Sequence, residues 1–86
     1  MLTVIKFGAE WCAPCKTFEP VFKAVSSTYS NVEFLTIDID EDSDAASSYG
    51  VRSIPTVIIK KDDEVVDTIV GLVNKAELSN RINKHL

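Results

Sequence analysis

The chain has 86 residues and is poor in cysteine, glycine and proline, with two, three and three of each, and it has a single histidine. Secreted mini-proteins staple distant segments with four to eight cysteines. Two cysteines, Cys12 and Cys15, standing three positions apart, exclude such a framework. A bridge between them closes a tiny loop and stabilises little, because the entropy gained grows with loop length. No apolar stretch approaches the ~18–20 residues of a membrane helix. The opening Met1–Phe7 is too short for a signal-peptide core, and no small-x-small site follows it. The expectation is a chain that begins directly with structure, in an intracellular, cytoplasmic setting, with no membrane partner. Nine basic residues face thirteen acidic ones, a net charge of −4, so no basic stripe is available to neutralise phosphates and a nucleic-acid partner is excluded.

Two cysteines and His85 fall short of the roughly four ligands of a zinc site, so no metal is expected. His85 reads as a solvated residue at a helix end, where its charge complements the dipole. Asp38–Asp44 resembles the start of a calcium loop, but Ser43 stands where that loop needs glycine and Tyr49 where it needs glutamate. A strand end followed by a capped helix explains the run better.

What is present is ordinary globular composition, 45% hydrophobic and 26% charged, which argues against disorder and for one domain over residues 1–86. Leu2–Phe7 is β-branched and aromatic and reads as a strand ended by Gly8. Phe18, Val21, Phe22 and Val25 recur at helical spacing and predict a helix from about Ala13 to Tyr29. Pro14 suits its first turn, and Pro20 is expected to kink it. Val32–Ile39 is a second strand, parallel to the first because one helix separates them. A short helix over about Ser43–Tyr49 follows, capped by Asp42 or Ser43 and ended by Gly50. Thr56–Lys60 and Glu64–Val70 form a hairpin across the turn Lys61-Asp62-Asp63. Asn74 caps a last helix with Leu78, Ile82 and Leu86 on its apolar face.

The chemistry is concentrated in Ala9-Glu10-Trp11-Cys12-Ala13-Pro14-Cys15-Lys16. Cys12 precedes the first turn of the long helix, where free backbone N–H groups and the helix dipole favour a thiolate. Only the thiolate attacks disulfides efficiently. Cys15, one turn later, faces the same side and is placed to resolve a mixed disulfide. A C-x-x-C at the junction of a strand and a helix in a βαβ unit is a thioredoxin-like redox motif.

Beyond that motif the chain resembles the thioredoxin family along its whole length. The likeness is carried by Phe7-x-Ala9-Glu10-Trp11-Cys12-x-Pro14-Cys15-Lys16, by Pro20, by Tyr49-Gly50-Val51-Arg52-x-Ile54-Pro55-Thr56, and by Val70-Gly71. The resemblance implies an α/β fold whose four-stranded mixed sheet has the order 2-1-3-4, with helices on both faces. It also implies a protein-disulfide reductase, monomeric, recharged by a thioredoxin reductase, with ribonucleotide reductase among its recipients. Such a protein needs no cofactor beyond its own Cys12–Cys15 disulfide. Cys12 would be the attacking thiol, Cys15 the resolving one and Pro55 a cis proline beside them. Trp11, Ala13, Pro14, Ile54, Val70 and Gly71 would form the apolar surface that meets the substrate, although Ile54 and Val70 are also readable as core. A glutathione-fed, glutaredoxin-like reductant and a non-redox binding subunit are the alternatives.

The chain departs from the family in two respects. Its length leads to the expectation of a glutaredoxin-sized domain without the strand and helix that open a full-size thioredoxin. Lys6 stands where the family has a buried aspartate, and Thr36 where the family has a lysine. Lys6 near the cysteines would favour the thiolate and make the couple more oxidising. Lys6 extended to solvent, or paired with Asp38, would not.

Overall fold

A computed structural model describes all residues from Met1 to Leu86. The first strand, β1 (Leu2–Gly8), lies inside the sheet and is buried along almost its whole length. Its side chains alternate between two covered faces, as a strand's period of two requires. Leu2 and Val4 point to one cluster, Ile5 and Phe7 to another. The helix α1 (Ala13–Ser26) returns along the first face and presents Cys15, Phe18, Phe22 and Val25 to it. It runs through Pro20 without interruption and ends three residues earlier than its apolar spacing predicts. The reason is local. The hydroxyls of Ser26, Ser27 and Thr28 each donate to a carbonyl three residues back, at 2.7–2.8 Å, and compete with further helical bonding.

The second strand, β2 (Val32–Asp38), pairs with β1 in parallel, Lys6 opposite Thr36 and Gly8 opposite Asp38. The helix α2 (Ser43–Ser48) is capped by Asp42, whose carboxylate accepts the Ala45 N–H at 3.1 Å. It covers the second face through Ala46. The third and fourth strands, β3 (Thr56–Lys61) and β4 (Glu64–Val70), form the hairpin. Its turn is only Asp62-Asp63, with Asp62 at φ 56°, because Lys61 pairs with Glu64. The sheet order is β2-β1-β3-β4, with β3 antiparallel to β1. The last helix, α3 (Lys75–Asn83), starts at Asn74, which accepts the Glu77 N–H at 2.8 Å. It buries Leu78 and Ile82 against the face that α1 also covers. Leu86 lies beyond the helix and is exposed, so the apolar series ends at Ile82.

The outer strand β4 is joined to α3 by charge. Arg81 donates through Nε and Nη2 to both oxygens of Asp67, at 2.8 and 2.6 Å, and through Nη1 to Glu77 at 3.1 Å. His85 reaches the same carboxylate at 3.3 Å and is three-quarters buried, so it is not the solvated residue its position in the sequence suggested. The Arg81 guanidinium, with His85 beside it, holds the Asp67 carboxyl down at about 2. Tyr29, just after α1, ties that end of the helix to α3 by donating to Asn83 Oδ1 at 2.7 Å.

Candidate active site

The loop between β1 and α1 begins where the sheet ends. Ala9 is buried and its carbonyl accepts the Cys12 N–H at 3.2 Å, which folds Glu10 and Trp11 outward. Cys12 is the residue that caps α1. Its sulfur accepts the Cys15 N–H at 3.2 Å, so a free amide of the helix's first turn points at it. An amide aimed at sulfur in this way stabilises negative charge there, as does the positive end of the helix. The first turn carries no acidic residue to oppose that effect. Cys12 and Cys15 form a disulfide, their Cα atoms 5.2 Å apart.

Both cysteines are about equally buried, at 5% and 6%, so exposure does not distinguish them. Their surroundings do. Cys12 Sγ lies 3.9 Å from the carbonyl oxygen of Ile54, and the following Ile54–Pro55 peptide bond is cis. Cys15 lies on the inner side. A Cβ placed on Gly8 would meet Cys15 Cβ and Sγ at 3.4 Å, so strand and sulfur approach closely there. Cys15 also lines a pocket of about 430 Å³ between α1, β1 and the β2 edge.

The residues expected to form the apolar surface come from the redox loop, the segment before β3 and the end of β4. Trp11 is 68% exposed, and its indole N–H donates to Asp40 Oδ2 at 2.8 Å. Ala13 and Pro14 are exposed beside it. Val70 is 65% exposed and is therefore surface, not core. Ile54 is half-buried and packs against Cys12 and Ala9. Gly71, at φ 93°, donates its N–H to the Pro55 carbonyl at 2.9 Å and ties the end of β4 to the proline. Asp40 is the site residue that sequence reasoning missed. It contacts Trp11 across 29 positions, and nothing local in either segment signals the pairing.

Lys6 takes neither of the simple placements. It is only 6% exposed and makes no ion pair with Asp38. Its Nζ stands 5.2 Å from the centroid of the Phe22 ring, and the side chain lines the same pocket as Cys15, with Thr36 and Asp38 opposite. No cluster of three or more metal-binding side chains is present, and no helix is long and apolar enough to cross a membrane.

The arrangement is a dithiol–disulfide pair at a helix start, with a proline segment on one side and a pocket on the other. The thioredoxin family model matches residues 1–84. The chain belongs to the thioredoxin family. It is 44% identical over 84 residues to thioredoxin 1 of Synechococcus elongatus, covering 96% of this chain and 78% of that one. It is 43% identical over 81 residues to the thioredoxin of Bacillus subtilis, covering 93% and 78%. Among solved structures, thioredoxin NaTrxh from Nicotiana alata superposes with a TM-score of 0.93 at 45% identity, covering 98% of this chain and 72% of that one. The four-stranded order and the placement of helices on both faces are those of a thioredoxin. The chemistry is thiol–disulfide oxidoreduction at Cys12 and Cys15.

Proposed function

We propose that residues 1–86 act as one domain, a cytoplasmic protein-disulfide reductase in which Cys12 attacks and Cys15 resolves. The observation that carries this reading is the Cys15 N–H donated to Cys12 Sγ at the start of α1. It supports Cys12 as the attacking thiol, because an amide aimed at its sulfur favours the thiolate. The Cys12 thiolate attacks one sulfur of a target disulfide. A Cys12–target bond forms, and the first target sulfur leaves and takes up a proton. Cys15 then gives up its proton and attacks Cys12 Sγ. The Cys12–Cys15 bond forms, and the second target sulfur leaves and is protonated. Two electrons and two protons have passed to the target.

The target chain would lie across Trp11, Ala13, Pro14, Ile54, Val70 and Gly71. Trp11 and Val70 are its large exposed apolar members, and the Gly71 N–H donated to the Pro55 carbonyl ties the end of β4 to the proline. A thioredoxin reductase would return the two electrons, and ribonucleotide reductase is a recipient of suitable chemistry. The test is reduction of a protein disulfide such as insulin, driven either by thioredoxin reductase or by glutathione with glutathione reductase. Turnover with thioredoxin reductase is expected. Turnover with glutathione alone would move the protein to the glutaredoxin-like reading. Failure with both, in a chain whose disulfide is chemically reducible, would leave a binding role.

A further inference from the structure

Lys6 is a buried lysine with no carboxylate within ion-pair distance. It is more than nine-tenths buried, and neither a hydrogen bond nor an ion pair holds its ammonium. No fully enclosed polar atom in the protein lacks a partner, so Nζ keeps contact with the water of the pocket. The Phe22 ring, 5.2 Å away, offers part of the missing stabilisation.

Five charged side chains line that pocket. Glu10 comes from the loop, Lys16 and Glu19 from α1, Asp38 from β2 and Lys6 from β1. Glu10, Lys16 and Glu19 are exposed and Asp38 is half-buried. Solvent therefore screens the first three most strongly and Lys6 least. Three carboxylates against two lysines also give a dissolved anion little reason to enter. The anion that does arise there is made by the protein. Cys15 packs on Gly8, and Lys6 is two residues earlier on the same face of β1. Two strand residues span about 6.7 Å, a distance comparable to the length of a lysine side chain.

We propose that Lys6 is a positioning residue of the redox couple, its partnerless ammonium in the pocket behind Cys15 stabilising the thiolate that Cys15 becomes when it resolves the mixed disulfide. This rests on Cys15 being the resolving thiol. The uncharged disulfide gains nothing from the ammonium and the ionised dithiol does. The reduced form is therefore favoured at any pH where the thiolate is populated, and the couple is shifted in the oxidising direction. A unit charge acting over roughly 7 Å, in surroundings between protein and water, changes an ionisation by about tenfold, which sets the scale of the effect sought.

The test uses Cys12→Ser protein, in which Cys15 is the only thiol, alone and combined with Lys6→Met or Lys6→Arg. The pH dependence of Cys15 alkylation is read for each. Lys6→Met is expected to raise the midpoint by about one pH unit, a tenfold loss of thiolate below it, and Lys6→Arg to restore it in large part. Equal midpoints with Lys6 and with Met would overturn the proposal. In the two-cysteine protein, the equilibrium constant with glutathione should separate Lys6 from Lys6→Met increasingly as pH rises, towards about tenfold, or about 30 mV. A separation independent of pH would mark a structural effect and also overturn it. Should the Met variant not fold, the unaltered protein still decides. Its Lys6 Cε resonance should step with Cys15 ionisation in the reduced form and not in the oxidised form, and no step refutes the role. Disulfide reduction by the unaltered protein separates the two readings: its loss removes the proposed function, whereas its presence with equal midpoints removes only the role of Lys6.

Discussion

Replacing Asp67 with asparagine removes one negative charge and little volume from the junction of β4 and α3. In the native protein that carboxyl is drawn from its ordinary 3.8 to about 2, first by the Arg81 hydrogen bonds and then by His85. Its side chain is only 15% exposed, so water screens the pair weakly. The gap between 3.8 and about 2, at about 1.4 kcal/mol for each tenfold step, corresponds to about 2 kcal/mol of stability. A chain of this size has roughly 4–13 kcal/mol in total, so the loss is a substantial fraction. Because the native carboxyl is the stronger acid, its contribution is complete above the unfolded value of 3.8 and is lost as pH falls towards about 2. Urea unfolding of the oxidised protein at a series of pH values measures it. Near pH 7, Asp67→Asn should be less stable by about 2 kcal/mol and melt about 10 °C lower. The two proteins should converge as pH falls from about 4 to about 2, since the protonated acid and the amide are nearly equivalent. Stability curves that run parallel across that window would refute the reasoning.

Three further outcomes follow from the geometry. Leu78→Ala empties a fully buried position between α3 and the sheet and should cost about 2–5 kcal/mol in the same urea assay, with the redox chemistry of surviving folded protein unchanged. Asp40→Ala frees the exposed Trp11 indole and removes about 0.5–1 kcal/mol of positioning; it should raise KM for a protein disulfide by about two- to fivefold with kcat little altered. Cys15→Ser should retain attack by Cys12 but not release, so a disulfide-bonded adduct with the target accumulates on a non-reducing gel, whereas Cys12→Ser forms none by that route.

The elements and their order were legible because each carries its own local signal. The β-branched and aromatic run of β1, the helical spacing of Phe18, Phe22 and Val25, and the caps at Asp42 and Asn74 each need only a few neighbouring residues to be recognised. The redox pair was legible for the same reason, since strand, C-x-x-C and helix are contiguous. What escaped depends on contacts across long stretches of chain. The end of α1 was set by three hydroxyls in competition with the helix, against an apolar pattern that continued to Tyr29, whose hydroxyl instead reaches α3. His85 looked solvated until β4 brought Asp67 beside it. The Trp11–Asp40 bond joins two loops that only the parallel pairing of β1 and β2 brings together. Lys6 read as either near the cysteines or outward. Its burial over Phe22 depends on the helix above it, which strand periodicity alone does not describe.

The central position of β1 has a consequence for how the molecule opens. The strand is paired on both edges and covered on both faces, and the redox loop is its direct continuation. Local opening takes place in segments with few such constraints, and well-buried central strands exchange their amide hydrogens only on global unfolding. The amides of Val4 to Phe7 should therefore be the slowest in the chain to exchange with deuterium, while those of β2's free edge and α2 exchange through smaller fluctuations. A disulfide mounted at the end of the most slowly exchanging strand stays in register while the periphery fluctuates. The capacity to exchange electrons should then persist up to the temperature at which the whole domain melts.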